Sequence, residues 1–293
     1  MRNKLVTILT PTYNRSYCLD RLYKSLCIQT SSDFEWVIVD DGSTDDTKQK
    51  VDEFNKQNKI KINYIYKNNG GKHTALNSGI KQIDSKYVFI VDSDDVITED
   101  AIEQIITYDK KYGDRGDICG YSFLRKYPDG KVNGKLFKQN EVIDTYVNVR
   151  IFGNDCNADK AEVFFTKILK QYPFPEFEGE RFLGEDIVWV ELSKKYKMIH
   201  INTAIYEGDY QSDGLTKNRR KGNIKSPKGC YERARKFLSV KLPTKIKIKS
   251  VLQLIVYGKF SGYKIKKIIG DGKILSCILY PVGLLIYKKW KNN

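Results

Sequence analysis

The feature that most restricts the fold is a regular alternation of strand-like and helix-like segments over the first 125 residues. Short runs rich in β-branched and aromatic residues alternate with longer segments whose apolar residues recur at helical spacing. Strands joined through helices by short links pair in parallel, with the helices on both faces of the sheet. We therefore predict an α/β fold with a mostly parallel, Rossmann-like sheet. The predicted strands are Leu5–Leu9, Glu35–Val39, Ile62–Tyr66, Tyr87–Val91 and Ile118–Phe123, and the predicted helices lie near Tyr17–Gln29, Thr44–Asn58, Thr74–Ile83 and Glu99–Tyr112.

The pattern becomes irregular after Tyr127. Residues 128–130 predict a turn of a hairpin, because they read Pro-Asp-Gly. A helix is predicted to begin at Glu185-Asp186, and Met198–Ile205 is predicted to form a further strand. The polar, basic segment Asp209–Lys221 is predicted to be a mobile loop.

The positive charge is concentrated at the C-terminal end. Residues 217–293 contain 21 Lys/Arg against two acids, a net charge of +19, whereas residues 1–216 contain 30 against 34, a net charge of −4. From Thr244 onward lysines alternate with apolar residues, and the apolar run Ile274–Tyr287 is followed by further lysines. Such a segment is typical of an interfacial membrane anchor, although a buried helical hairpin with a lysine-rich exterior remains the alternative.

The cysteines indicate a reducing compartment. Six are scattered through the chain without a CxxC pair, which suits neither a zinc site nor a disulfide framework. Residues 1–4 lead directly into a predicted strand, so we expect no signal peptide and a cytoplasmic protein.

A cluster of carboxylates follows the fourth predicted strand, where the sequence reads Asp92-Ser93-Asp94-Asp95. The carboxyl ends of parallel strands form the ligand crevice of open α/β sheets. Crowded carboxylates repel one another unless a cation lies among them, and Mg²⁺ and Mn²⁺ bind carboxylate and phosphate oxygens together. The cluster therefore indicates a metal that holds a phosphorylated substrate. The alternative is a solvated turn that caps the next helix.

Polar segments also end the first three predicted strands. They are Thr10–Arg15, Asp40–Asp45 and Asn69–His73. An aspartate can accept the N3–H of uracil, and a tyrosine can offer its ring to a base. Each segment alone is equally compatible with an ordinary strand-to-helix turn, but together they place base, phosphate and metal contacts on one sheet edge.

These motifs, in this order and spacing, resemble family 2 glycosyltransferases of the GT-A fold. The resemblance rests on Thr12-Tyr13-Asn14, Val39–Asp45, Asn69–Gly79 and Asp92–Asp95, and it covers roughly the first 115 residues. It implies an inverting, metal-dependent transfer of a sugar from a nucleotide diphosphate, usually UDP, with Mg²⁺ or Mn²⁺ as cofactor.

The resemblance also implies roles for individual residues. Tyr13, next to Pro11 and Thr12, matches the residue that stacks on the base, and Asp41, beside Asp40, matches the residue that reads uracil. Asp92 and Asp94 match the pair that meets ribose and metal, with Ser93 between them and Asp95 as an added acid. Lys72 and His73 match positions that contact the diphosphate or sugar. In the second half, Glu185-Asp186 resembles the pair whose aspartate is the general base, for which helix capping is the alternative.

The sequence thus predicts a hexosyltransferase that acts on a surface polysaccharide or a lipid-linked oligosaccharide. We expect residues 1–125 to bind the donor, 126–243 to bind the acceptor and supply the base, and 244–293 to associate with an anionic membrane. Together these place the protein in the cytoplasm, peripheral on the inner face of the cell membrane. We expect no nucleic-acid partner, because the basic tail is rich in aliphatic residues.

Other functions fit less well. An Asp-X-Asp phosphatase has its motif after the first strand, not the fourth, and a nucleotidyltransferase needs a Gly- and Lys-rich loop after strand one. A nucleic-acid-binding protein and a catalytically inactive GT-A-like scaffold remain the alternatives.

Overall fold

The structure, a computed structural model, describes residues 4–155, 158–208 and 219–292. The strands in this part of the chain are β1 (Val6–Thr12), β2 (Phe34–Asp40), β3 (Ile62–Tyr66), β4 (Tyr87–Ile90), β5 (Val96–Ile97), β6 (Ile118–Lys126), β7 (Glu141–Asp144), β8 (Lys160–Phe165) and β9 (Lys197–Glu207). The helices are α1 (Ser16–Cys27), α2 (Thr47–Gln57), α3 (Lys72–Gln82), α4 (Ala101–Tyr112), α5 (Thr166–Leu169), α6 (Asp186–Leu192), α7 (Arg219–Lys225), α8 (Pro227–Leu238), α9 (Thr244–Phe260) and α10 (Ile265–Lys291), with a π-helical segment at Val147–Phe152.

All strands belong to one mixed sheet, in the order β3-β2-β1-β4-β8-β6-β9-β5, with β7 paired to β9. The first four strands are parallel to one another. Thr12 is in register with Asp40, and Leu9 with Ile90. The polar segments that follow β1, β2 and β4 therefore meet at one edge, as the sequence predicts.

Parallel pairing does not extend through the whole sheet. The strand β8, from the second half of the chain, lies antiparallel between β4 and β6. The short strand β5 begins directly after the acidic cluster and pairs antiparallel with β9. Strands from the second half of the chain therefore pair with the strands on either side of the acidic cluster.

The main core lies between the sheet and its helices. Helix α1 buries Leu19, Leu22, Tyr23 and Leu26, which are spaced so that they share one helical face. The Tyr23 ring stacks on Phe54 of α2, with 4.1 Å between their centroids. Long amphipathic segments of this kind explain why the helices of the first half were predictable from sequence.

The second half of the chain contains the hairpin turn, the helix and the strand that the sequence predicts. The turn at 128–130 closes a hairpin, in which Tyr127 N donates to Lys131 O. Helix α6 begins at Asp186 and buries Ile187, Val190 and Leu192. The prediction of a loop over Asp209–Lys221 is wrong for its last three residues, which begin α7, and residues 209–218 lie outside the described part.

The tail is a pair of helices packed on α8. A separate apolar cluster joins Tyr231 and Ala234 of α8 to Leu254 and Ile255 of α9 and to Ile268 of α10. Helix α10 has a non-helical residue at Lys273. Within the described residues it is the one helix long and apolar enough to span a membrane, and only 17% of its most apolar window is buried.

Candidate active site

Three carboxylates project between β4 and β5. One carboxylate oxygen from each of Asp92, Asp94 and Asp95 lies within 4.8 Å of the others. The turn is fixed by β9, because the Asp92 backbone N–H donates to Tyr206 Oη of that strand at 2.9 Å. Asp95 is buried against Arg125, whose Nη2 lies 3.2 Å from Asp95 Oδ1.

Each carboxylate of this cluster has a cationic partner, Lys72 for Asp92, Arg15 for Asp94 and Arg125 for Asp95, but the three still repel one another. Burial and the charges of Asp92 and Asp94 raise the pKa of Asp95 to about 7, although Arg125 opposes the rise. Burial and Asp92 also raise the pKa of Asp94, against the lowering effect of Arg15. Three hard oxygen donors that repel one another fit a divalent cation such as Mg²⁺ or Mn²⁺.

Lys72 links this cluster to the second half of the chain. Its Nζ lies 2.6 Å from Asp92 Oδ1 and 2.6 Å from Glu185 Oε1. Burial disfavours the ammonium, but the two carboxylates outweigh it and raise the pKa of Lys72 well above its usual range. The lysine therefore stays charged and holds Glu185 beside the acidic cluster.

Glu185 and Asp186 have different partners although they are adjacent in sequence. Burial and the charge of Asp92 raise the pKa of Glu185, and Lys72 opposes the rise. Asp186, at the start of α6, is held by Arg233 of α8, whose Nε donates to Asp186 Oδ1 at 2.6 Å and whose Nη2 donates to Oδ2. Sequence reasoning places both acids near the reaction centre, and the structure links Glu185 to Asp92 through a single lysine.

Asp40 and Asp41, predicted to meet the base, both accept hydrogen bonds within the chain. Asp40 accepts from Tyr64 Oη at 2.6 Å and from the Ser43 N–H at 2.7 Å. Asp41 accepts from Lys67 Nζ at 2.7 Å. The backbone N–H groups of residues 70 and 71 also donate to Asp41, at 2.9 and 2.6 Å. Asp41 therefore anchors the glycine loop, and its predicted contact with uracil would use its remaining lone pair.

The other predicted donor contacts lie on the same edge. Tyr13 is 45% exposed, so its ring is free to stack on a base, whereas Pro11 and Thr12 are buried. Among the described residues Thr12 Oγ1 has no hydrogen-bond partner. Ser93 is buried. His73 is buried too, and burial lowers its pKa, with Glu176 opposing, so its imidazole is neutral at pH 7.

Comparison with known proteins identifies the family. The model of the family described as glycosyl transferase family 2 matches residues 7–161, more than half of the chain. This chain belongs to glycosyl transferase family 2. The match includes all the predicted donor residues and ends before Glu185. A relative, the glycosyltransferase GlyG of Streptococcus pneumoniae serotype 4 (strain ATCC BAA-334 / TIGR4), is 35% identical over 213 residues, 70% of each protein.

Solved structures share the fold of this family 2 chain. S. aureus TarS 1-349 in complex with UDP-GlcNAc has a TM-score of 0.67 at 21% identity, over 97% of this chain and 81% of TarS. The mannosyltransferase PcManGT of Pyrobaculum calidifontis, in complex with GDP-Man and Mn²⁺, has a TM-score of 0.59 at 16% identity, over 98% and 82%. The predicted GT-A fold is thereby confirmed. The chain spans less than a third of the length of several other curated relatives that it matches.

Sequence reasoning missed several residues around this family 2 site. Tyr206 is 114 positions from Asp92, and Arg233 is 47 positions from Asp186. Lys67 and Arg125 carry no motif, and each was one basic residue among many in the sequence. Only the folded chain brings these side chains to the acids that they contact.

Proposed function

We propose that this family 2 member transfers a sugar from a nucleoside-diphosphate donor, a UDP-sugar, to a hydroxyl group of a glycan, with inversion at the anomeric carbon. The observation that carries the proposal is the bridge Asp92–Lys72–Glu185, which joins the acidic cluster to the segment containing Asp186. Family membership and the likeness to TarS support it.

The chain's own residues suit each part of this reaction. The acceptor oxygen forms a bond to the anomeric carbon while the bond from that carbon to the diphosphate oxygen breaks, and its electron pair leaves with UDP. Asp186 is proposed to take the acceptor proton. Lys72 presents a fixed positive charge at the acidic cluster and is proposed to stabilise the leaving diphosphate.

Asp92, Asp94 and Asp95 would hold Mg²⁺ or Mn²⁺, which when bound supplies positive charge for the diphosphate. Asp92 and Asp94 are half-buried, whereas Asp95 is buried against Arg125. The first two are therefore the more accessible ligands. On the donor side, Tyr13 would stack on the base, with Asp41 at its edge and Asp40, Thr12, Ser93 and His73 in support. These roles assign residues 1–125 to the donor and 126–243 to the acceptor and the base.

The acceptor is proposed to lie at an anionic membrane, as a surface polysaccharide or a lipid-linked oligosaccharide. Ile274, Ile278, Val282 and Leu285 of α10 are 79, 66, 46 and 68% exposed, and their spacing puts them on one face, here called the apolar stripe. The opposite face packs on α9, where Gly283 contacts Ile255. With lysines at both ends, α10 suits a position in the plane of an anionic interface, on the cytoplasmic side.

A donor panel tests the proposed activity. UDP-, GDP- and dTDP-sugars are each added with Mn²⁺ or with EDTA, and thermal stabilisation and nucleotide release are measured. We expect stabilisation by a UDP-sugar that requires the metal and is lost in Asp94→Ala. Asp84→Ala is the matched control, because the Asp84 side chain is 82% exposed and, within the described part of the chain, forms an ion pair with Lys170 alone.

Three outcomes would count against the proposed activity. Absence of stabilisation by every donor, or equal stabilisation with Asp94→Ala, would instead favour an inactive scaffold. Salt-sensitive binding to RNA, without binding to anionic vesicles, would favour a nucleic-acid-binding protein.

A further inference from the structure

The predicted base is held by a guanidinium group from outside the segment that the family model matches. Arg233 Nε donates to Asp186 Oδ1 at 2.6 Å, and Nη2 donates to Oδ2. Both side chains are 19% exposed, so the pair is largely shielded from water. A bidentate pair of this kind restricts rotation of the carboxylate as well as its position.

The surroundings leave the pair little freedom. The guanidinium carbon of Arg233 lies 4.3 Å from the centre of the Phe237 ring. On the other side, a Cβ at Gly184 would lie 3.0 Å from Asp186 Oδ1 and 3.2 Å from Arg233 Nε. Glycine at 184 therefore allows the chain to pass close to both groups.

The helix that carries Arg233 is itself tied to the segment before Asp186. The buried Glu180 accepts hydrogen bonds from the N–H groups of Lys228 and Gly229, both at 2.8 Å, at the start of α8. In return, Ser226 Oγ accepts from the N–H groups of Arg181 and Phe182, at 3.2 and 3.0 Å. The first turn of α8 and residues 180–186 thus form one connected unit.

We propose that Arg233 is a positioning residue for proton transfer. The guanidinium occupies one lone pair on each oxygen of Asp186 and fixes the plane of the carboxylate. The remaining lone pairs of the same oxygens are left to take the proton from the acceptor hydroxyl. This inference rests on the proposed function and deepens it, because it assigns the orientation of the base to the C-terminal part of the chain.

A double-mutant cycle separates positioning from a general structural effect. The variants are Arg233→Met and Arg233→Lys, each made with Asp186 and with Asp186→Asn. Arg235→Met is the matched control, since Arg235 lies on the same helix, is exposed and pairs with Glu232 of that helix. For each variant we measure kcat for transfer, KM for the donor, nucleotide release without acceptor, and Tm.

We expect Arg233→Met to lower kcat for transfer by about 10- to 100-fold, since small misplacement of a reacting group has that effect. Donor KM and acceptor-independent nucleotide release should stay within about twofold, because no donor contact is lost. Arg233→Lys should recover part of kcat, and Arg235→Met should match the unsubstituted protein. In the Asp186→Asn background, Arg233→Met should lower kcat no further.

An equal loss of kcat from Arg233→Met in both backgrounds would overturn the inference, as would a lowered Tm with kcat unchanged. Full activity of Asp186→Asn would also overturn it. If the unsubstituted chain transfers sugar and Arg233→Met does so equally well, only this inference fails. If the unsubstituted chain transfers from no donor, the proposed function fails together with it.

Discussion

At the scale of single residues, Glu185 and Asp186 show how neighbours in sequence acquire different tasks. Lys72 holds the first and Arg233 holds the second. We expect Asp186→Asn to keep donor binding and to lose about 100-fold or more in transfer, because an amide does not accept the acceptor's proton. Glu185→Gln should instead weaken donor affinity, because Lys72 loses a charged partner. Donor titration and initial transfer rates distinguish the two variants.

The opposite pattern, with Asp186→Asn fully active and Glu185→Gln unable to transfer, would move the base assignment to Glu185. Equal and complete loss of donor binding in both variants would show that they act through the structure of the loop.

His200 makes stability depend on pH. Burial, followed by the charge of Arg150, lowers its pKa to about 3. The folded state therefore keeps the imidazole neutral, whereas the unfolded chain binds a proton below about pH 6.5. The contribution of the neutral His200 to the free energy of unfolding is fully present above pH 6.5. It decreases as the pH falls toward 3, and about 2 kcal/mol is lost at pH 5.

Urea unfolding at pH 7 and pH 5 measures this effect, and His200→Gln removes it. Between pH 7 and pH 5, we expect the free energy of unfolding of the variant to fall by about 2 kcal/mol less than that of the unsubstituted chain. An identical pH dependence in both proteins would show that other groups are responsible.

At the scale of elements, α10 has an apolar face that no other element covers within the described residues, because its apolar stripe is exposed. We expect the triple variant Ile274→Ser, Ile278→Ser, Leu285→Ser to lose on the order of 100-fold in affinity for vesicles containing phosphatidylglycerol, at about 1 kcal/mol for each partly buried side chain. Co-sedimentation measures the affinity. Added salt should weaken binding of the unsubstituted chain, because the lysines also contribute.

Leu136→Ser is the control for this experiment, since Leu136 is 63% exposed outside the stripe. Undiminished vesicle binding of the triple variant would rule out the stripe as the docking face. Equal loss with Leu136→Ser would show that the effect is not specific to α10.

At the scale of the whole molecule, the expected boundary near residue 243 passes through an apolar cluster. Tyr231 and Ala234 lie before it, and Leu254, Ile255 and Ile268 lie after it. We expect a chain ending at Pro243 to lose several kcal/mol of stability, because the apolar face of α8 that carries Tyr231 and Ala234 is left uncovered. Thermal unfolding measures the change, and an unchanged Tm would show that residues 244–293 are an independent unit.

Local sequence patterns were sufficient to predict a helix or a strand where one of its faces is apolar. Helix α1 was predicted near Tyr17–Gln29 and buries Leu19, Leu22 and Leu26 on one face, and β3 was predicted with its observed bounds. The mixed sheet was not predictable in the same way, because β8 enters between β4 and β6 from more than 30 residues further along the chain. Strand order depends on long-range pairing, which leaves no local signal in a single sequence.

The candidate site likewise contains residues that the sequence predicted and partners that only the fold reveals. The sequence singled out Asp92, Asp94, Asp41 and Lys72 because they follow predicted strands and because their motifs resemble a family. By itself, the sequence determined the α/β class, the edge of the sheet where polar groups collect and the position of the basic tail. Tertiary structure alone decided the partners of those groups: Tyr206 for Asp92, Arg125 for Asp95 and Arg233 for Asp186. The reason is physical. Periodicity and composition reflect interactions between near neighbours in the chain. A buried charge, in contrast, is neutralised by whichever side chain the fold brings within a few ångströms.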